Sequence, residues 1–182
     1  MSYLTKAMLE EPLYEVKRFE QAAAYKTVSD YASFDIFLSH SYDDKQYIRK
    51  LKQYIEDNFK LTCYVDWLCE PTTLDRSAVT RETATILRKR LRQSKTLIFC
   101  TSKNSPNSRW MPWELGFFDA YRGFISILPI TDRETDSFKG QEYLGLYPYI
   151  DKTDSILWVN GIDGGYVKIS DWVAGALPKK GA

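Results

Sequence analysis

From residue 34 onward, short apolar runs alternate with longer stretches in which apolar residues recur at helical spacing. Phe34-Asp35-Ile36-Phe37-Leu38-Ser39 reads as a buried strand, and Thr62 to Trp67, Thr96 to Cys100, Phe124 to Ile130 and Ser155 to Val159 read as four more. After the first strand, Tyr47, Ile48, Leu51, Tyr54, Ile55 and Phe59 mark one face of a helix that Ser41 or Asp43 can cap. Val79, Ile86, Leu87 and Leu91 stripe a second helix, with Ser77 as its cap. A third opens at Pro112, whose fixed φ and missing N–H suit the first helical position, and ends near Gly123. Residues 131–154 form a long, Tyr-rich connection, and Asp171 to Leu177 read as a last short helix.

Strands alternating with helices predict a parallel sheet covered on both faces. Five strands of this size suit a flavodoxin-like α/β fold of order 2-1-3-4-5, with Ile36, Phe37, Val65, Leu97 and Ile98 in its core. Residues 1–30 stand apart. Leu4, Met8, Leu13, Val16 and Phe19 are roughly helix-spaced and Pro12 breaks the run, which reads as an N-terminal helical arm before a domain at 31–182. A helix lying on the core explains the same spacing equally well.

The bulk properties remove several function classes. With 182 residues and 44% apolar residues, the chain has the size and composition of one globular domain. A net charge of +1 gives no global pull toward nucleic acid or an anionic membrane. No apolar run is long enough to span a bilayer, and the acidic stretch from Met1 to Val16 has no signal-peptide core. Three cysteines without a Cys-x-x-Cys pair, and one histidine, speak against a disulfide framework or a metal site and for the reducing cytoplasm. The basic run Arg88-Lys89-Arg90-Leu91-Arg92 reads as a solvated helix end that complements the dipole rather than a nucleic-acid patch. Neither a Gly-x-Gly-x-x-Gly nor a phosphate-binding loop motif occurs, nor a Gly-x-Ser-x-Gly elbow. Ser39-His40-Ser41 makes no hydrolase triad, since neighbours on an extended chain point to opposite faces.

The remaining chemistry gathers at one sheet edge. In Arg109-Trp110-Met111-Pro112-Trp113-Glu114-Leu115-Gly116, Glu114 is expected in the first helical turn, where dipole and free N–H groups favour an anion. A parallel sheet brings the ends of the first two strands, Ser39-His40-Ser41-Tyr42 and Asp66-Trp67, to that same carboxyl edge. His40, Tyr42, Asp66, Trp67, Trp110, Trp113 and Glu114 would then surround one crevice. A carboxylate framed by indoles suits a flat cationic or sugar-bearing ligand. A helix start with a favourable charge and two aromatics closing the core fits the same residues.

Three motifs in order resemble a Toll/interleukin-1 receptor (TIR) domain of the bacterial kind, over roughly residues 33–160. Phe34 to Ser41 resembles the family's aromatic-Asp-x-Phe-x-Ser first strand, Leu68 to Ser77 occupies the place of its mobile second loop, and Trp110-x-x-x-Glu114 resembles its third-helix signature. The loop departs from receptor-type members, since Pro71 is followed by Thr72 rather than Gly. The resemblance implies cleavage of the nicotinamide–ribose bond of NAD⁺, with Glu114 catalytic and NAD⁺ a substrate rather than a cofactor. It implies substrate contacts from Ser39 and Tyr42, and stacking by Trp67 or Trp113. It further implies TIR–TIR self-association through Leu68–Arg76, and a cyclic or linear ADP-ribose product that signals to an effector in defence against phage, or simple NAD⁺ depletion. The alternatives are a non-catalytic TIR adaptor and base transfer between nucleosides on a similar scaffold.

Overall fold

The computed structural model describes residues 2–10, 28–70, 80–133 and 142–179. The strands are β1 (Leu4–Thr5), β2 (Phe34–Ser39), β3 (Cys63–Tyr64), β4 (Ser94–Thr101), β5 (Ile125–Thr131), β6 (Tyr149–Thr153), β7 (Ile156–Asn160) and β8 (Tyr166–Lys168). The helices are α1 (Lys6–Glu10), α2 (Lys45–Phe59), α3 (Asp66–Cys69), α4 (Arg81–Arg92), α5 (Trp110–Tyr121) and α6 (Ile169–Val173). The sheet runs β3-β2-β4-β5-β6-β7-β8, with β1 paired to β5. From β3 through β6 the neighbours are parallel, while β7 and β8 are antiparallel additions.

The expected order holds for the first four predicted strands, and the fifth is corrected. Its parallel place belongs to Tyr149–Thr153, inside the stretch read as a connection, and Ile156–Asn160 returns antiparallel beside it. Asp151 and Lys152 hid this strand from an apolar count. Thr153 pairs with Ile156, and Asp154 at φ 52° takes the left-handed turn conformation that Asp tolerates.

The described part of the N-terminal segment is helical only at Lys6–Glu10. Leu4 and Thr5 are strand, paired to Ile130 and Thr131. Ser2 exchanges two backbone hydrogen bonds with Lys152, so this segment fills the wedge where β5 and β6 part. Leu4 and Leu9 are buried, and Lys6 pairs with Asp132 at 2.7 Å. Pro12, Leu13, Val16 and Phe19 lie outside the described residues, as do Ser77 and Val79; α4 is capped by Thr80, whose hydroxyl accepts from the Thr83 N–H at 3.1 Å.

Period-two alternation divides the core. Ile36 and Leu38 of β2, with Ile98 and Cys100 of β4, face α2 and α6. Phe37, Leu97 and Phe99 point the other way, onto α4 and α5. The five expected core residues are all buried. Fully burying such a side chain contributes about 1.5–3 kcal/mol. At the far end of α5, Gly123 takes φ 71° and its N–H reaches the Phe118 carbonyl at 3.2 Å, the helix stop its position predicted.

The basic run is corrected at its centre. Arg90 is buried and donates to Glu70 (2.7 Å), Gln93 (2.9 Å) and the carbonyls of Ser29 (2.9 Å) and Val28 (3.0 Å). This guanidinium fork ties the chain entering β2 to the end of α3. Its neighbours Arg88 and Arg92 lie over the Trp113 and Phe117 rings.

Asp35, the acid of the first-strand motif, joins three strands at the opposite edge from the candidate site. It accepts from the Thr62 N–H (2.8 Å), the Thr62 hydroxyl (2.9 Å) and Lys95 (2.7 Å). Partial burial pushes its carboxyl up, but these donors outweigh that and hold it below the usual carboxylate value. The resulting stability is present above the unfolded value of about 3.9 and is lost as pH falls through the lower folded value. Asp35→Ala should cost about 1.5–3 kcal/mol at neutral pH in urea unfolding, and the gap between parent and variant should narrow as the pH falls through the folded value. An unchanged midpoint at neutral pH contradicts the clamp.

All three cysteines are free; Cys63 and Cys100 are buried and Cys69 is half-buried. Burial pushes the Cys63 and Cys100 thiols up, leaving little reactive thiolate. Thiol titration should count three groups in denatured, unreduced protein and no more than one in the native state. A native count of three contradicts this packing.

Candidate active site

The central contact joins β2 to α5. Ser39, the last residue of β2, shares a face with Phe37, and its hydroxyl donates to Glu114 Oε2 at 2.6 Å with both side chains fully buried. Trp110 and Glu114 are one turn apart on the same face of α5. The helix starts at Trp110, two residues before the expected position, because Ser108 accepts the Met111 N–H (3.3 Å) ahead of Pro112. Pro112 therefore falls third, where its absent N–H still costs no hydrogen bond. Glu114 falls in the second turn, so the expected first-turn stabilisation by dipole and free N–H groups is corrected. The Ser39 hydroxyl is a donor aimed at the buried carboxylate.

His40, one residue on, points away as alternation requires. Its Nδ1 lies 2.8 Å from the Leu38 carbonyl and its Nε2 lies 3.0 Å from Trp67 Nε1. A carbonyl accepts and an indole N–H donates, so the imidazole is neutral and carries its proton on Nδ1. Asp66 Oδ1 stands 3.8 Å from Nε2. Asp66 and Trp67 do not close a strand as expected: the chain leaves β3 after Tyr64 and turns into α3, where Asp66 Oδ1 accepts the Trp67 N–H at 2.8 Å. Arg49 lies 5.4 Å from the centre of the Trp67 ring. His40, Asp66 and Trp67 thus form one polar cluster, with His40 and Asp66 buried and Trp67 half-buried.

A cavity of about 260 Å³ opens beside these groups, lined by Ser41, Tyr42 and Asp43 on one wall and by Asn107 to Trp110 on the other. Tyr42 is half-exposed, with the Lys45 ammonium 4.8 Å from its ring centre. Trp110 is nearly buried and supplies the inner end. Trp113 does not line this cavity. It meets Trp110 edge-on at 5.4 Å and stacks on Phe117 at 5.8 Å, on the α5 face toward α4. The expected convergence is therefore divided: Ser39 with Glu114, His40 with Asp66 and Trp67, Tyr42 with Trp110, and Trp113 elsewhere.

Sequence reading passed over Asn107, Ser108, Arg109 and Asp44. Their signal was the polar loop of Ser, Asn and Pro directly ahead of the Trp-x-x-x-Glu segment. Asp43 and Ser41 were expected to cap α2, but a 3-10 turn at Tyr42–Asp44 intervenes and Asp44 holds the cap position.

A doubly wound sheet whose Asp-x-Phe-x-Ser strand meets the glutamate of a Trp-x-x-x-Glu helix is the arrangement of a TIR-type domain. Residues 37–127 match the family model described as "Thoeris protein ThsB, TIR-like domain", and the chain belongs to that family. It is 45% identical over 157 residues to a protein of Bacillus cereus (strain MSX-D12) named "Probable 3′ cyclic ADP-D-ribose synthase ThsB′", covering 82% of this chain and 80% of the relative. A Cytobacillus dafuensis protein named as a candidate cyclic ADP-D-ribose synthase, TIR2, is 26% identical over 151 residues; 83% of this chain matches 37% of that longer relative. Among solved structures, the TIR domain of the Toll-related receptor TRR-2 from Hydra magnipapillata superposes with a TM-score of 0.46 at 11% identity, covering 64% of this chain and 82% of that one.

Replacing Ser39 by Ala removes a donor from a buried carboxylate without changing volume much. Such a loss costs about 1–3 kcal/mol. Urea unfolding of Ser39→Ala should show that loss with an unchanged m-value; parental stability would mean that Glu114 does not depend on this hydroxyl.

Proposed function

We propose that this domain cleaves the nicotinamide–ribose bond of NAD⁺ and closes the remaining ADP-ribose into a cyclic product that signals in antiviral defence. The observation that carries this reading is the buried Glu114 carboxylate, held by Ser39 at the carboxyl edge of the sheet and one helical turn from a cavity-lining tryptophan. Membership in the ThsB family and the names of both relatives support it.

The chemistry needs few groups. Nicotinamide departs neutral, taking the pair of the bond to its ring nitrogen, so no general acid is required. The ribose is left as an oxocarbenium-like species, and a carboxylate beside it stabilises the developing positive charge. Glu114 supplies that carboxylate, and Ser39 fixes which oxygen it presents. Attack by a hydroxyl of the second ribose forms the new C–O bond, releases one proton and closes the ring; attack by water would give the linear product. Tyr42 and Trp110 offer aromatic surface in the adjoining cavity, and Arg109 offers a cation that matches the diphosphate. His40, Asp66 and Trp67 support this edge from behind.

Self-association through TIR–TIR contacts and an effector that reads the product belong to the same proposal. The expected contact loop, Leu68–Arg76, lies mostly outside the described residues. No helix among the described residues is long and apolar enough to cross a membrane. We place the protein in the cytoplasm, where its substrate is abundant.

Pure protein incubated with NAD⁺ should release nicotinamide and a cyclic ADP-ribose resolved by chromatography and mass. Glu114→Gln keeps shape and removes charge; losing one well-placed electrostatic stabiliser lowers rates by about 10²–10³. Trp113→Ala, which removes a ring that does not line the cavity, should lower the rate far less than Glu114→Gln. A folded Gln variant releasing nicotinamide at the parental rate overturns the assignment of Glu114.

A further inference from the structure

Asp44 sits where a helix cap belongs yet does not serve as one. As the residue before α2 it is placed to accept N–H groups from its own helix, but its side chain makes no such bond. The carboxylate is buried to 1% exposure and reaches across the cleft. Oδ1 accepts from Asn104 Nδ2 at 2.7 Å, and Oδ2 accepts from the Ser102 hydroxyl. Both oxygens are thus committed to the loop between β4 and α5.

That loop is a relay. The Ser102 hydroxyl in turn accepts the Asn104 N–H (3.0 Å), and the Ser102 N–H donates to the Ser105 hydroxyl (2.7 Å). A 3-10 turn at Ser105–Asn107 follows, and the Ser108 hydroxyl accepts the Met111 N–H that starts α5. On the other side, the Asp44 N–H donates to the Ser41 carbonyl at 3.0 Å. The residues on either side of this tie, Ser41 to Asp43 and Asn107 to Arg109, are the two walls of the cavity.

We infer that Asp44 is a positioning residue for substrate: it sets the distance between the two cavity walls and so presents Tyr42, Arg109 and Trp110 together to NAD⁺. This rests on the cavity being part of the NAD⁺ site. Asp44 does not itself touch the reacting bond, because it is buried and does not line the cavity. Its loss therefore acts on the fraction of molecules with both walls in place. When that fraction falls, apparent affinity falls with it, while the chemistry of the bound complex is unchanged.

Steady-state nicotinamide release tests this with four proteins beside the parent. Asp44→Ala should raise KM for NAD⁺ by about tenfold, with kcat within about twofold, as expected for a population effect. Asp44→Asn should restore KM, since the amide oxygen accepts from Asn104 and the amide N–H donates to the Ser102 hydroxyl. The Ser102→Ala/Asn104→Ala pair should reproduce the Asp44→Ala KM, and the triple variant should add nothing further. If Asp44→Ala fails to fold, the Ser102/Asn104 pair carries the same test. A folded Asp44→Ala or Ser102/Asn104 variant with the parental KM overturns the proposal, as does a kcat loss without a KM change. Those outcomes leave the NAD⁺ reading standing, because the parent still turns over; a parent with no turnover overturns that reading instead.

Discussion

A carboxylate removed from water has to be given donors, and the hydroxyl of Ser39 reaches Glu114 at 2.6 Å. That single requirement places both partners. β2 is pinned on each side, by β3 and by β4, so the position of Ser39 is fixed by the centre of the sheet. Trp110, Leu115 and Phe118 bury α5 against that sheet, which fixes Glu114. The site is therefore a consequence of the core, and the strand end and the helix start are its two adjustable parts. Polar groups buried this deeply are costly unless each is satisfied. The hydroxyl, the indole–imidazole pair and the Asp44 tie show how this edge meets that cost.

Alternation along one strand separates two kinds of work. Ser39 turns toward the α5 side and into the proposed chemistry. His40 turns toward the α2 side and is held neutral between the Leu38 carbonyl and the Trp67 indole. The sole histidine of the chain is buried, with a neighbour at each ring nitrogen.

The first four strands were legible because apolar runs bounded by caps report burial on both faces. Gly123 announced the end of α5 for an equally local reason. The fifth strand was not legible: Tyr149–Thr153 carries Asp151 and Lys152, and it gains its place through β7 and the N-terminal segment rather than through its own apolarity. The strand at Leu4–Thr5 was read as helix because two residues show no period of their own. Glu114 and Ser39 were singled out from motif and topology, but the hydrogen bond between them was not foreseen. The grouping around the cavity was less accessible. Trp113 was counted by proximity to Glu114, whereas adjacent helical positions differ by about 100° and this ring turns toward α4. Asp44 was passed over, and only the folded loop from Ser102 to Asn104 shows its use.

The central claim is that Ser39 and Glu114 act as one unit in breaking the nicotinamide bond. A double-mutant cycle on the rate of nicotinamide release tests it most directly, using Ser39→Ala, Glu114→Gln and the combination. If the hydroxyl works through the carboxylate, the double variant is no slower than Glu114→Gln alone. Losses that simply multiply, or a Glu114→Gln protein as fast as the parent, would contradict the account.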